Sequence, residues 1–340
     1  MRNVCKKCSG RIRIGKTYCS LCGETVLLKP RNDDEAGNKM PLSNILAVGA
    51  VIFLATVLAI LYFGFSDGGE TSISESTPRV VHINGRRVRT SVTWLSLDNM
   101  DLQNEDILPL RYMTNLSSLT LRNNEISDLT VLSELINLRD LVLSDNQISD
   151  ISTLSGLTNL GSIMLCNNEI SDITALSNLT NSTFLSLAQN QVSDITPLSE
   201  LTDLESLFLW NNEIYDIAAL SELTNLGMLN ISRNQIGDIT VLSNLVNLTA
   251  LRLATNQISD ITALSRLTNL TSLELTENEI SDITVLSGLT DLTVLELTRN
   301  EISDITVLSG LTNLTRVWLW GNQVSDWSPV DHVSEVGGRP

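Results

Sequence analysis

From residue 94 to residue 327 apolar and polar positions alternate on a fixed cycle of 22 residues. One cycle reads Leu270-x-x-Leu273-x-Leu275-x-x-Asn278-x-Ile280-x-Asp282-Ile283-x-x-Leu286, and the stretch NEISDITVLSGLT recurs identically at 278–290 and 300–312. Leucines two positions apart predict a short strand, because alternate side chains of a strand share a face. The other apolar positions come from every side of the cycle, and a single turn of chain cannot bury them. Stacking successive turns does so, with each strand pairing in parallel to the next at ~4.8 Å. The returning stretch after each strand (DITVLSGL, DITALSNL) has no room for several turns of α-helix and reads as a 3-10 turn or irregular chain.

Two polar columns run through this pattern. Asparagine recurs at 124, 146, 168, 190, 212, 234, 256, 278, 300 and 322 without slippage. Placed where the strand bends away, its amide suits backbone groups of adjacent turns that burial would leave unpaired, so the column reads as a structural ladder. Aspartate recurs at 128, 150, 172, 194, 216, 238, 260, 282, 304 and 326, where a carboxylate can cap the short helical turn that follows. Calcium shared between carboxylates ~4.8 Å apart is the alternative, although no Asp-x-Asp-x-Asp-Gly loop accompanies them.

Both ends depart from the cycle. Val80 to Val88 reads as a hairpin on an Asn84-Gly85 type I′ turn, placed to cover the first coil (cap, 79–93). That coil, Leu95-x-Leu97-x-x-Met100-x-Leu102, lacks the asparagine and has two extra residues before Asp106. Trp327-Ser-Pro-Val330 replaces the usual Ile-Thr-Val-Leu and opens a C-terminal cap or tail, 328–340.

Upstream the pattern changes entirely. Ile45 to Phe65 is an uncharged apolar run, long enough at ~1.5 Å per residue to cross ~30 Å of hydrocarbon, so 42–65 reads as a transmembrane helix. A cleaved signal peptide competes with this, but the upstream segment is long for an n-region. Lys29, Arg31 and Lys39 precede the run closely and only Arg79 follows it within about twenty residues, which puts the N-terminus in the cytoplasm and 66–340 outside. Charge follows the same divide: 1–65 carries nine Lys/Arg against four Asp/Glu, and 66–340 carries thirteen Arg, no Lys and thirty-five Asp/Glu. Residues 29–41 and 66–78 are polar, without apolar periodicity, and read as linkers.

The first 28 residues hold Cys5-x2-Cys8 and Cys19-x2-Cys22, ten residues apart. Each pair forms a knuckle presenting two thiolates, a donor set suited to tetrahedral structural Zn²⁺. Disulfides are the competing reading, which a reducing cytosol disfavours. The segment resembles the small zinc-ribbon heads of prokaryotic membrane proteins, and metal binding would supply most of its folding energy. Lys6, Lys7, Arg11, Arg13 and Lys16 leave a nucleic-acid role open, secondary to a purely structural ribbon.

The L-x-x-L-x-L-x-x-N cycle matches the leucine-rich repeat template, and its length and short return resemble the internalin type found on Gram-positive surfaces. The resemblance implies an α/β-type leucine-rich repeat solenoid with a parallel sheet on the concave face and a 3-10 or irregular convex side. The helical cap, immunoglobulin-like domain and sorting motif of internalins are not visible, so host-cell invasion does not carry over.

Strand positions flanking the paired leucines would project onto that concave face. Val142, Met164, Cys166, Phe208 and Trp210, with Phe184 at the margin, form an expected apolar patch; Arg252, Glu274, Glu296 and Arg299 form a charged strip beside it; Trp318 and Trp320 lie on the last full coil. Apolar surface rimmed by polar groups points to a protein partner. The competing classes are a cell-envelope glycan-binding module, with aromatics stacking on sugars, and a receptor signalling through the zinc head. The Asn-x-Ser/Thr sites at Asn115, Asn178, Asn181, Asn230, Asn247, Asn269 and Asn313 fall out of the repeat phrase LTNLT and report nothing on glycosylation. No Ser/His/Asp set or phosphate loop is present, which argues against an enzyme.

Overall fold

A computed structural model describes residues 78–340. The expected zinc ligands Cys5, Cys8, Cys19 and Cys22, the apolar run 42–65 and most of both linkers lie outside the described residues. Among the described residues no helix is long and apolar enough to cross a membrane.

The hairpin forms first, as β1 (Val80–Ile83) and β2 (Arg86–Arg89), paired Val80 to Arg89 through Ile83 to Arg86. Asn84 and Gly85 turn it at φ of 45° and 75°, the two positive values that a type I′ turn demands. Twelve further strands follow, from β3 (Trp94–Ser96) to β14 (Glu335–Gly337), one per coil, all parallel and each beside its sequence neighbour. Interior coils pair at the 22-residue offset, as in Leu251 with Leu273 and Leu273 with Leu295. The first pairing, Leu95 with Leu119, is 24 residues apart, which absorbs the two extra residues. The segment expected as a C-terminal cap or tail contributes the twelfth strand of the sheet, at the shorter offset of Arg316 with Glu335.

The return path follows from leucine spacing. Ile283, Leu286, Leu289, Leu292 and Leu295 stand three apart, and at 3.0 residues per turn such positions eclipse on one side. The chain takes that geometry: Leu286, Leu289 and Leu292 each donate N–H to the carbonyl three residues back, at 2.9–3.1 Å, and all five side chains are at most 1 % exposed. Every return among the described residues is a 3-10 turn and none is an α-helix, in line with the 3-10 or irregular return expected from the sequence. A period of three, kept for five positions, leaves no 3.6-residue stripe on which an α-helix could bury its apolar face.

Burial is close to complete inside. Leu273, Leu275 and Ile280 are 0 % exposed, as are their equivalents in neighbouring coils. Each such leucine contributes roughly 1.5–3 kcal/mol on leaving water, but only because the next coil covers it.

All ten asparagines form the ladder. Asn300 is typical: Nδ2 donates to Leu275 of the preceding coil at 2.9 Å and to Leu297 of its own at 3.0 Å, while Oδ1 accepts the N–H of Ile280 at 3.1 Å. One amide thus ties three backbone groups in two coils. Replacing Asn278 by Ala strands the N–H of Ile258 and takes one of two amide donors from the carbonyls of Leu253 and Leu275, which Asn256 and Asn300 still serve. At ~1–3 kcal/mol for that buried unsatisfied N–H, with a smaller cost at the two carbonyls, thermal unfolding of Asn278→Ala should show a loss of about 2 kcal/mol or more. Melting at the parent temperature would mean that the ladder carries no stability.

Candidate functional site

The sheet has one face on the leucine core and one face open. Strand alternation puts the residue before, between and after the paired leucines on the open face. Val142 pairs in register with Met164, Ser186 with Phe208, and Arg252 with Glu274, which pairs in turn with Glu296 and that with Trp318. The expected patch and strip are therefore contiguous rows on successive strands.

They are less open than the column positions suggest. Met164 and Phe208 are each 7 % exposed and Trp318 is 8 % exposed, whereas Val142, Cys166, Phe184 and Trp210 are half-buried and Trp320 is 49 % exposed. Strands ~4.8 Å apart bring large side chains of neighbouring coils into contact, and each shields the next. The rings of Phe184 and Phe208 meet at 5.4 Å between centroids, tilted by 37°, a separation at which aromatic pairs attract. At the C-terminal end the Arg316 guanidinium sits 6.0 Å from the Trp318 ring centre, and a Cβ on Gly337 would meet the rings of both Trp318 and Trp320. Glycine is thus what lets β14 close against the two indoles.

The polar members are partly tied. Arg252 Nε lies 3.6 Å from Glu274 Oε2, and burial raises the Glu274 carboxyl above its usual range, with Arg252 and Arg233 pulling the other way. Arg299 pairs with Glu277, which also accepts a bond from Thr255 Oγ1 at 2.9 Å. Asp140, before the paired leucines, is likewise raised by burial against the pull of Arg139. Cys166 Sγ lies 2.8 Å from Ser186 Oγ, and burial pushes its thiol up, which makes it a poor nucleophile. Thr120 and Thr276 keep buried hydroxyls without a partner on the same face.

Two further columns add to these, and only the second carries a signature in the sequence. Asn123, Asp145, Asn167, Gln189, Asn211, Arg233, Thr255, Glu277 and Arg299 all take φ of 54° to 61°, and Gly321 takes 72°. Each of the nine non-glycine residues ends a strand by a left-handed turn while its N–H continues the ladder to the next coil, as in Glu277 to Thr298 at 2.8 Å. Such a conformation costs ~1–2 kcal/mol for a non-glycine residue, and β-branched Thr255 suits it worst. The second column is the asparagine of LTNL: Asn181, Asn247, Asn269 and Asn313 each donate Nδ2 to a carbonyl of the preceding coil at 2.9 Å. Those sequons are thus spent on structure. Asp203 and Asp291, which cannot donate, interrupt this second ladder. Beside Asp203 lies a cavity of about 440 Å³ lined by Thr183, Asp203, Glu205, Asn225 and Gly227.

The aspartate column behaves as expected. All ten carboxylates accept the N–H two residues on, at 2.8–2.9 Å, which is the first residue of the 3-10 turn. The bond comes from one position outside the formal cap residue, an isoleucine in most coils. Among the described residues no three His, Cys, Asp or Glu side chains gather as a metal site. Backbone and hydroxyl donors lower the carboxyls of Asp150, Asp172, Asp194, Asp238, Asp260, Asp282, Asp304 and Asp326.

The chain matches the family of Leucine Rich repeats (2 copies) at residues 136–178, 202–244, 224–266, 246–288, 268–310 and 290–332, over half its length, and belongs to the leucine-rich repeat family. Within that family it is internalin-like: an internalin from Listeria monocytogenes is 32 % identical, with a TM-score of 0.62 over 74 % of this chain and 89 % of that one. The functional domain of another Listeria monocytogenes internalin, InlJ, is 23 % identical with a TM-score of 0.66, over 74 % of this chain and 55 % of that one. The ectodomain of the Arabidopsis thaliana membrane receptor kinase GASSHO1/SCHENGEN3, solved in complex with Casparian strip integrity factor 2, is 24 % identical with a TM-score of 0.60, over 72 % and 35 %. These last two likenesses establish the fold alone. No curated protein matches the chain by sequence.

A lowered folded-state carboxyl contributes stability that is present above the unfolded value and is lost as pH falls through the folded one. Raised Asp140 and Glu274 work in the opposite sense, and the eight lowered aspartates outnumber them. The melting temperature should therefore fall as pH drops below the ordinary aspartate range, and Asp238→Asn/Asp260→Asn/Asp282→Asn should flatten that fall. An equally steep decline in the triple variant would remove the column as its cause.

Proposed function

We propose that this is a single-pass membrane protein whose solenoid faces outward and binds a protein ligand on the open face of its sheet. The observation that carries the reading is the Phe184–Phe208 ring pair with half-buried Trp210 on neighbouring coils, in a face otherwise lined largely by small polar side chains. Protein hot spots favour aromatic anchors ringed by polar groups; here Val142, Met164 and Cys166 extend the apolar surface and Arg252, Glu274 and Glu296 flank it. Trp320, half exposed at the last full coil, is a second contact. Leucine-rich repeat scaffolds of this type bind rather than catalyse.

Residues 42–65 span the membrane in this reading, with the N-terminus in the cytoplasm and the solenoid extracellular. Cys5, Cys8, Cys19 and Cys22 hold structural zinc; four thiolates in two Cys-x2-Cys pairs fit that ion's preference for sulfur and tetrahedral geometry. The full-length chain should carry about one zinc per molecule, lost in Cys5→Ser/Cys8→Ser; a metal-free parent purified without chelator would overturn the assignment.

Trp210→Ala tests the ligand site while leaving the core intact, and Phe208→Ala/Trp210→Ala removes the anchor altogether. Binding to surface-protein extracts should fall by roughly tenfold or more, the loss typical of a hot-spot residue, with binding to purified peptidoglycan unchanged. Loss on glycan alone would instead favour the cell-envelope glycan-binding module. Circular dichroism melts of both variants exclude misfolding as the cause.

A further inference from the structure

Positive charge collects at one end of an acidic solenoid. Four of the thirteen arginines in 66–340, Arg79, Arg86, Arg87 and Arg89, fall on or beside the cap hairpin, and no Asp or Glu occurs between residues 78 and 97. Strand alternation sorts the hairpin: Val81, Ile83 and Val88 turn to the core and are buried, while His82, Arg87 and Arg89 are exposed. Arg86 is committed to structure, its Nη1 donating to the Ser96 carbonyl at 2.9 Å on β3. Arg79, Arg87 and Arg89 form no ion pair among the described residues, whereas Arg122, Arg252, Arg299 and Arg339 all do.

The first coil also exposes apolar side chains. The coil beneath the hairpin exposes Trp94, Leu108 and Tyr112, at 50 %, 43 % and 42 %, and the 3-10 turn Leu108–Tyr112 lies against β1. Its carboxylates are Asp98, Asp101, Glu105 and Asp106, of which Asp98 accepts the Arg122 N–H and Asp106 the Gln103 N–H.

We propose that Arg79, Arg87 and Arg89 dock the cap on the phosphate groups of a bilayer surface containing anionic lipid. This rests on reading 42–65 as a membrane-spanning segment. Chain length makes the bilayer the occupant: Arg79 follows Phe65 by fourteen residues, which even fully extended reach no more than ~50 Å. The hairpin is therefore tethered at high effective concentration to that surface. Guanidinium groups near anionic headgroups are attracted to them, and the acidic coils beyond are repelled, so the same field that holds the cap down points the rest of the solenoid away.

Hydrogen exchange on the full-length chain in lipid nanodiscs tests this. Amides of residues 79–97 should exchange at least ~3-fold more slowly in discs containing phosphatidylglycerol than in pure phosphatidylcholine, an effect erased by high salt. Arg79→Gln/Arg87→Gln/Arg89→Gln should exchange alike in both lipids, with the interior coils unchanged as a control for folding. An incorporated parent chain showing no lipid dependence overturns the docking and leaves the membrane-spanning segment standing. Failure to incorporate overturns both. Equal protection by soluble polyphosphate in phosphatidylcholine discs would assign the arginines to a phosphate polymer and overturn docking to the bilayer.

Discussion

Everything in this solenoid depends on one constraint: a coil of 22 residues has no interior of its own. Its leucines become buried only when coils stand on either side, and that burial also removes backbone amides and carbonyls from water. The asparagine column resolves the conflict, because one side-chain amide has both a donor and an acceptor end and so bridges two coils at once. Asn300, donating to Leu275 and Leu297 and accepting from Ile280, shows why neither aspartate nor leucine could stand there.

Around that ladder each segment takes the geometry that keeps its apolar positions inward. Leucines three apart select the 3-10 return, and leucines two apart select the strand. The aspartate carboxylates satisfy the first N–H of each return, and the LTNL asparagines add a second bond to the preceding coil. The cost appears at the strand ends, where residues as different as Asn123, Arg233, Thr255 and Glu277 all adopt a left-handed conformation. No side-chain preference explains that column. Continuity of the sheet imposes it, since each of these N–H groups still reaches the next coil.

With the interior so uniform, individuality is confined to the open face and the two ends. The repeat fixes where a side chain is displayed and leaves its identity free, which is why the aromatic pair, the Arg252–Glu274 row and the C-terminal tryptophans carry the functional reading. The ends differ chemically: a basic hairpin closes the first coil, whereas a glycine-terminated strand closes the last one against two indoles.

The sequence alone determined the period, the buried positions, the asparagine and aspartate columns and the short, non-α character of the returns, because each is a local pattern copied about ten times and copying leaves little ambiguity; the hairpin turn was legible from its Asn84-Gly85 pair. It also located the rows of the open face. Tertiary structure decided how far those rows are open: Met164, Phe208 and Trp318 are covered by neighbours that lie a full coil away in sequence. It decided too that residues 335–337 join the sheet and that four of the sequon asparagines, Asn181, Asn247, Asn269 and Asn313, serve as rungs. These outcomes come from contacts between coils, and no pattern within one coil encodes which side chain its neighbour will press against it.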